Sequence, residues 1–146
     1  MSVPTKPKGY STVSAYLVSQ GAQRVIDFLK SAFAATELRR FAMPDGSIVH
    51  AEVRIGDTVV MLADSNQAYP AFPSWPHVYV DDVDKRYQKA LKAGGVSVQE
   101  PVRRADDTDK RGGVKDPCGN TWWIGTQVAS RETKKARKNT RARRKK

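Results

Sequence analysis

The chain has 146 residues, 39% of them hydrophobic, with two histidines and one cysteine. That length suits one domain or two small halves sharing a core, and a lone cysteine excludes an internal disulfide or a multi-cysteine metal site. The net charge of +11 is unevenly spread: residues 130–146 carry +9, whereas residues 1–129 carry only +2.

Residues 1–10, with two prolines, two lysines and a glycine, predict an extended N-terminal arm without a secretory leader. Residues 12–18 predict a strand. Residues 22–33 place apolar side chains at 22, 25, 26, 29, 32 and 33, the spacing of an amphipathic helix. Strands are expected over 36–43, 47–55 and 58–63, joined by turns at Pro44-Asp45-Gly46 and Gly56-Asp57. Residues 65–74 hold two prolines and no period, and predict a linker.

The pattern then repeats. A strand is expected over 75–81 and a helix over 83–93, with Asp82 as N-cap and Gly94-Gly95 at its end. Strands follow over 96–98, 112–115 and 120–126, the last entered through the turn Asp116-Pro117-Cys118-Gly119-Asn120. The order β-α-β-β-β therefore occurs twice, in modules 11–64 and 75–128 of a globular part spanning 11–129. Neither module can bury its sheet alone. Ala32-Phe33-Ala34-Ala35 and Lys92-Ala93-Gly94-Gly95 occupy equivalent places in the two halves.

Several segments carry a resemblance when taken in order: Tyr16-Leu17-Val18 with Ile26-Asp27-Phe28; Met43-Pro44-Asp45-Gly46 leading to His50-Ala51-Glu52-Val53-Arg54; His77-Val78-Tyr79-Val80-Asp81-Asp82; and Arg111-Gly112-Gly113-Val114-Lys115-Asp116-Pro117-Cys118-Gly119-Asn120-Thr121-Trp122-Trp123. This set resembles the vicinal oxygen chelate superfamily of glyoxalases, bleomycin-resistance proteins and dioxygenases, and within it the PhnB-like subgroup. The resemblance implies an α+β fold of two βαβββ modules whose mixed sheets curve into a cup with helices outside. It also implies a homodimer; in the bleomycin-binding relatives the drug site lies at the dimer interface. Metal-using members place His or Glu on the first and last strands of each half. Those positions fall here on Val13, Ser14 or Ala15, near Trp75, and on Trp123. The subgroup's Thr-His pair at the end of the last strand is Thr126-Gln127 here, and its Trp-Gly-Asp-Arg is Thr108-Asp109-Lys110-Arg111.

Alternation puts His50, Glu52 and Arg54 on one face of strand 47–55, and Val49, Ala51, Val53 and Ile55 on a face expected to pack on helix 22–33. His77 shares a face with Trp75 and Tyr79. Trp122 and Trp123 are adjacent, so one faces the cup and the other the helices. The expected ligand-binding set is His50, Glu52, Arg54, Trp75, His77, Tyr79, Trp122 and Trp123, with aromatic walls burying a small molecule and no cofactor. The rival reading is a divalent-metal lyase, isomerase or dioxygenase-like enzyme using His50, Glu52 and His77. Cys118 reads as part of a structural turn, and Asp81-Asp82-Val83-Asp84 as helix capping. Residues 130–146 read as a disordered basic tail. Its partner would be nonspecific nucleic acid or the phosphate of an acidic membrane surface. With no apolar run of membrane-spanning length, a cytoplasmic location is expected.

Overall fold

A computed structural model describes residues 2–130, 141, 143 and 144; most of the basic tail expected over 130–146 lies outside the described residues. The first module consists of β1 (Tyr16–Ser19), α1 (Ala22–Phe33), β2 (Thr36–Ala42), β3 (Ile48–Ile55) and β4 (Thr58–Asp64). The second consists of β5 (His77–Tyr79), α2 (Val83–Lys92), β6 (Val96–Arg103), β7 (Asp109–Lys115) and β8 (Thr121–Gln127). Each module forms a four-stranded mixed sheet, ordered β1-β4-β3-β2 and β5-β8-β7-β6. In both, the first strand pairs parallel with the last and the remaining pairs are antiparallel. This is the expected α+β architecture of two βαβββ modules.

The amphipathic spacing of α1 buries Val25, Ile26, Leu29, Ala32 and Phe33, and Phe28 with them. α2 buries Val83, Tyr87 and Ala90. The helices pack against each other and against one face of the sheets, so both modules share one core. Phe33, for example, lies 5.7 Å from the ring of Trp122. Neither α1 nor α2 covers the opposite face of each sheet, and the candidate polar residues lie there.

The helix ends follow from local chemistry. Asp82 caps α2 as expected, accepting from the Lys85 N–H at 3.1 Å. α1 starts after Gly21, which has no capping side chain. The cap comes from β4 instead: Asp64 accepts from Ala22 N–H at 2.7 Å with one oxygen and from Ile48 N–H at 2.6 Å with the other. The two equivalent segments both leave their helices through a left-handed residue, Ala34 (φ 54°) and Gly94 (φ 97°).

Four boundaries differ from expectation. β1 is shorter, starting at Tyr16 rather than at residue 12, because only 16–19 find partners on β4. β5 is confined to 77–79. β6 extends through Pro101 to Arg103, and β7 begins at Asp109. Proline is tolerated in β6 because this is an edge strand and the pairing slips between Gln99 and Val102. Val49 is also corrected: it is 54% exposed and does not pack on α1. The pairing shift between Phe41 and Ala42 gives the buried place to Ile48.

Candidate functional site

The uncovered face of the first sheet carries a continuous hydrogen-bonded chain. Tyr16, Met61, Glu52 and Arg39 are cross-strand neighbours in one row. Glu52 is buried at its centre. Its Oε1 accepts from the Tyr10 hydroxyl at 2.6 Å, and its Oε2 lies 2.8 Å from His50 Nε2. The other imidazole nitrogen, Nδ1, lies 2.8 Å from the Tyr16 hydroxyl. Arg39 reaches Glu52 at 4.0 Å and lies over the Phe41 ring. Burial pushes the Glu52 carboxyl up, but hydrogen bonds from His50 and Tyr10, with the charges of His50 and Arg39, outweigh it and hold the group below its ordinary value. Tyr16 is pushed up by burial and then by the Glu52 charge, so its phenol stays protonated. Arg54 turns to the arm and donates to Gly9 O at 3.3 Å. Tyr10, read in the sequence only as part of an arm, is thus a structural partner of the site.

A hollow of about 780 Å³ opens beside this chain. Tyr16 and Val18 of β1, Met43 and Val49 of the β2–β3 hairpin, and Tyr69 and Phe72 of the linker supply most of its wall. The linker is held in place by Phe72 N–H donating to Val18 O and Ser65 N–H to Ser19 O. Tyr69 and Phe72 were legible only as linker residues, because the hollow joins three segments distant in sequence.

The second sheet carries a separate cluster. Arg111 Nε donates to His77 Nε2 at 3.1 Å, and Arg111 Nη2 reaches Asp109 Oδ2 at 2.8 Å. The Tyr79 hydroxyl donates to the same Asp109 oxygen at 2.6 Å. Desolvation and the Arg111 charge lower the His77 pKa against the opposing pull of Asp109, which favours a neutral ring able to accept from Arg111. Trp123 lies over Gly113, where a Cβ would come within 2.7 Å of the indole, and meets the 74%-exposed Trp75 edge-on at 5.8 Å. Asp109 and Arg111 lie before residue 112, where the sequence pattern places the start of this strand, so the expected alternation does not include them. Had it begun at 109, alternation would have put both on the His77 face.

Of the adjacent indoles, Trp122 is corrected. It is 2% exposed, packs in the shared core and donates from Nε1 to Asp116 Oδ2 at 2.9 Å. A strand sends neighbours to opposite faces, and Trp123 takes the open one. The Asp116 turn is structural as expected, its carboxylate also accepting from Cys118 N–H, Asn120 N–H and Asn120 Nδ2. Burial pushes the Cys118 thiol up, with Asp116 and Asp64 adding to it against Arg24, so the sulfur is a poor nucleophile.

Residues 13–124 match the Glyoxalase/Bleomycin resistance protein/Dioxygenase superfamily. The chain belongs to this superfamily. An uncharacterized protein of Mycobacterium bovis is 35% identical to it over 130 residues, covering 80% of this chain and 83% of its own length. Among solved structures, TioX from Micromonospora sp. ML1 superposes with a TM-score of 0.68 at 24% identity, covering 80% of this chain and 98% of its own. A PhnB protein of Bacillus cereus, described as a putative 3-demethylubiquinone-9 3-methyltransferase, superposes at 0.61 and 18% identity, covering 80% and 99%. At these identities the structures establish the fold.

Metal-using members of the superfamily require converging donors, and among the described residues the donors do not fit that requirement. His50 and Glu52 are bonded to each other and to tyrosines, while His77 sits on the other sheet against a guanidinium. Among the described residues, no three His, Cys, Asp or Glu side chains come together as a metal site would need. The set His50, Glu52 and His77 is not assembled within one chain.

Proposed function

We propose that this superfamily member binds a small, largely apolar molecule with an aromatic portion, in the hollow between β1, the β2–β3 hairpin and the linker. The observation that carries this reading is the hollow itself. Its volume of about 780 Å³ is that of a small-molecule site, and Tyr16, Tyr69, Phe72 and Met43 stand around it as large apolar surfaces. Burial of the guest against these rings supplies the driving force. The ordered Tyr16–His50–Glu52 chain fixes the polar end. The protein acts as a homodimer in this reading, supported by the exposed rings of Phe41, Trp75 and Tyr79 on the helix-free sheet faces. By analogy with the bleomycin-binding relatives, the role would be to sequester the guest.

Titration of aromatic fragments by ligand-observed NMR tests the reading. Fragments that saturate on the natural chain should fail on an Ala63→Trp variant, because Ala63 of β4 also lines the hollow and the indole would enter it. Saturation unchanged by that substitution would put the site elsewhere.

A second reading rests on the +9 charge of residues 130–146, which suits nonspecific phosphate contact. Retention on DNA should fall steeply with salt and vanish when residues 130–146 are deleted. Retention that survives the deletion would remove this reading.

A further inference from the structure

The hydrogen-bond chain has a direction, and the direction selects the guest. Glu52 is an acceptor at both oxygens. A neutral His50 must therefore carry its proton on Nε2, because the other tautomer would set a lone pair against a carboxylate oxygen at 2.8 Å. Nδ1 is then an acceptor, and the Tyr16 hydroxyl at 2.8 Å donates to it. Every proton in the chain points toward the buried carboxylate. Tyr16 is a wall residue of the hollow, and its oxygen is left with lone pairs only.

Part of the wall agrees, although Ser65, Asn66 and Tyr69 on its linker side carry donor groups as well. Ser47 Oγ donates to Asp45 and so also turns its proton aside. Asp64 adds a carboxylate whose two oxygens already accept backbone N–H groups. Among the described residues, no lysine, arginine or histidine lines the hollow. Asn66 is exposed and accepts from Tyr69 N–H, so its amide hydrogens remain within reach of water.

We infer that the hollow, through Tyr16, prefers an apolar aromatic guest bearing a hydrogen-bond donor, a hydroxyl or an amine, over a guest of similar shape with acceptors only or a carboxylate. The inference rests on the hollow being the small-molecule site. The Tyr16 oxygen would accept the guest's proton-bearing group, and Glu52 acts as a positioning residue through His50. An acceptor-only guest would lose its own hydration at Tyr16 and find no donor there.

Three probes of similar size separate the possibilities: 2-naphthol, 2-methoxynaphthalene and 2-naphthoate. They are titrated at about pH 8, above the ordinary histidine range. 2-Naphthol should bind at least about tenfold more tightly than the other two. Tyr16→Phe should abolish that preference. His50→Ala frees the Tyr16 proton for the hollow and should shrink or reverse the preference for 2-naphthol over the ether. Imidazole ¹⁵N spectra of the unliganded protein should show His50 with a pyridine-type Nδ1 and a pyrrole-type Nε2. Equal or tighter binding of the ether or the naphthoate, a preference unchanged in Tyr16→Phe, or the opposite tautomer would overturn the inference while leaving the hollow as a binding site. Failure of all three probes to saturate would remove the binding site and the inference together.

Discussion

The Tyr10 hydroxyl donates to Glu52 Oε1 at 2.6 Å, across 42 positions of sequence, and so ties the N-terminal arm to the middle of β3. Arg54 adds a bond to Gly9 O beside it. Tyr10→Phe keeps the ring and removes the donor. The expected cost is about 1–2 kcal/mol of stability, together with faster proteolytic cutting within the arm. Urea unfolding and limited proteolysis of both proteins measure the two effects. An arm cut no faster than before would mean that the bond does not hold it.

Glu52 also sets an acid limb. Its folded-state pKa lies below the ordinary glutamate value, so its contribution to stability is complete above that value and is lost as pH falls through the folded-state pKa. The stability gap between the natural chain and Glu52→Gln should therefore be widest near neutrality. It should narrow from about pH 5 downward, as protonation begins to compete. Thermal unfolding across this range gives the gap directly. A gap independent of pH would show that the carboxylate charge contributes nothing.

Asp116 accepts four hydrogen bonds, three from the turn before β8 and one from the core indole Trp122 on β8 itself. Asp116→Ala leaves those donors unpaired in a buried place. The expected loss is about 3–5 kcal/mol, with a change in Trp122 fluorescence. Denaturant unfolding followed by fluorescence measures both, and a loss below about 1 kcal/mol would contradict the assignment.

Ala34 offers a change of opposite sign. It holds the left-handed position after α1 with φ 54°, where the second module has Gly94. Relief of the Cβ clash should outweigh the added freedom of glycine in the unfolded chain. Ala34→Gly is expected to raise stability by about 0.5–1 kcal/mol, read as a higher urea midpoint. A lowered midpoint would mean that alanine is unstrained there.

The repeated β-α-β-β-β order was legible because helix and strand periods leave separate marks, and residues 22–33 are the helix that their spacing indicates. The ends of β6 and β7 were not legible. Pro101 argues locally against a strand, and only the edge position with its slipped register makes room for it. The polar face of β3 was readable from the alternation of His50, Glu52 and Arg54. What those side chains touch was not, because Tyr10 and Tyr16 arrive from elsewhere in the chain. Tyr16 was not legible as a wall residue because the inward positions that the resemblance implies fall at 13–15, before the paired segment begins. The expected metal-site positions held no chelating cluster, but sequence could not show that His50 and His77 belong to different sheets.

A crystal structure of the full chain grown with 2-naphthol puts the central claim to its most direct test. The ring should lie in the hollow between Tyr16 and Phe72, with its hydroxyl against the Tyr16 oxygen. Density for the naphthol on the Trp75–Trp123 face instead, or an empty hollow in a crystal where solution binding is saturated, would contradict it.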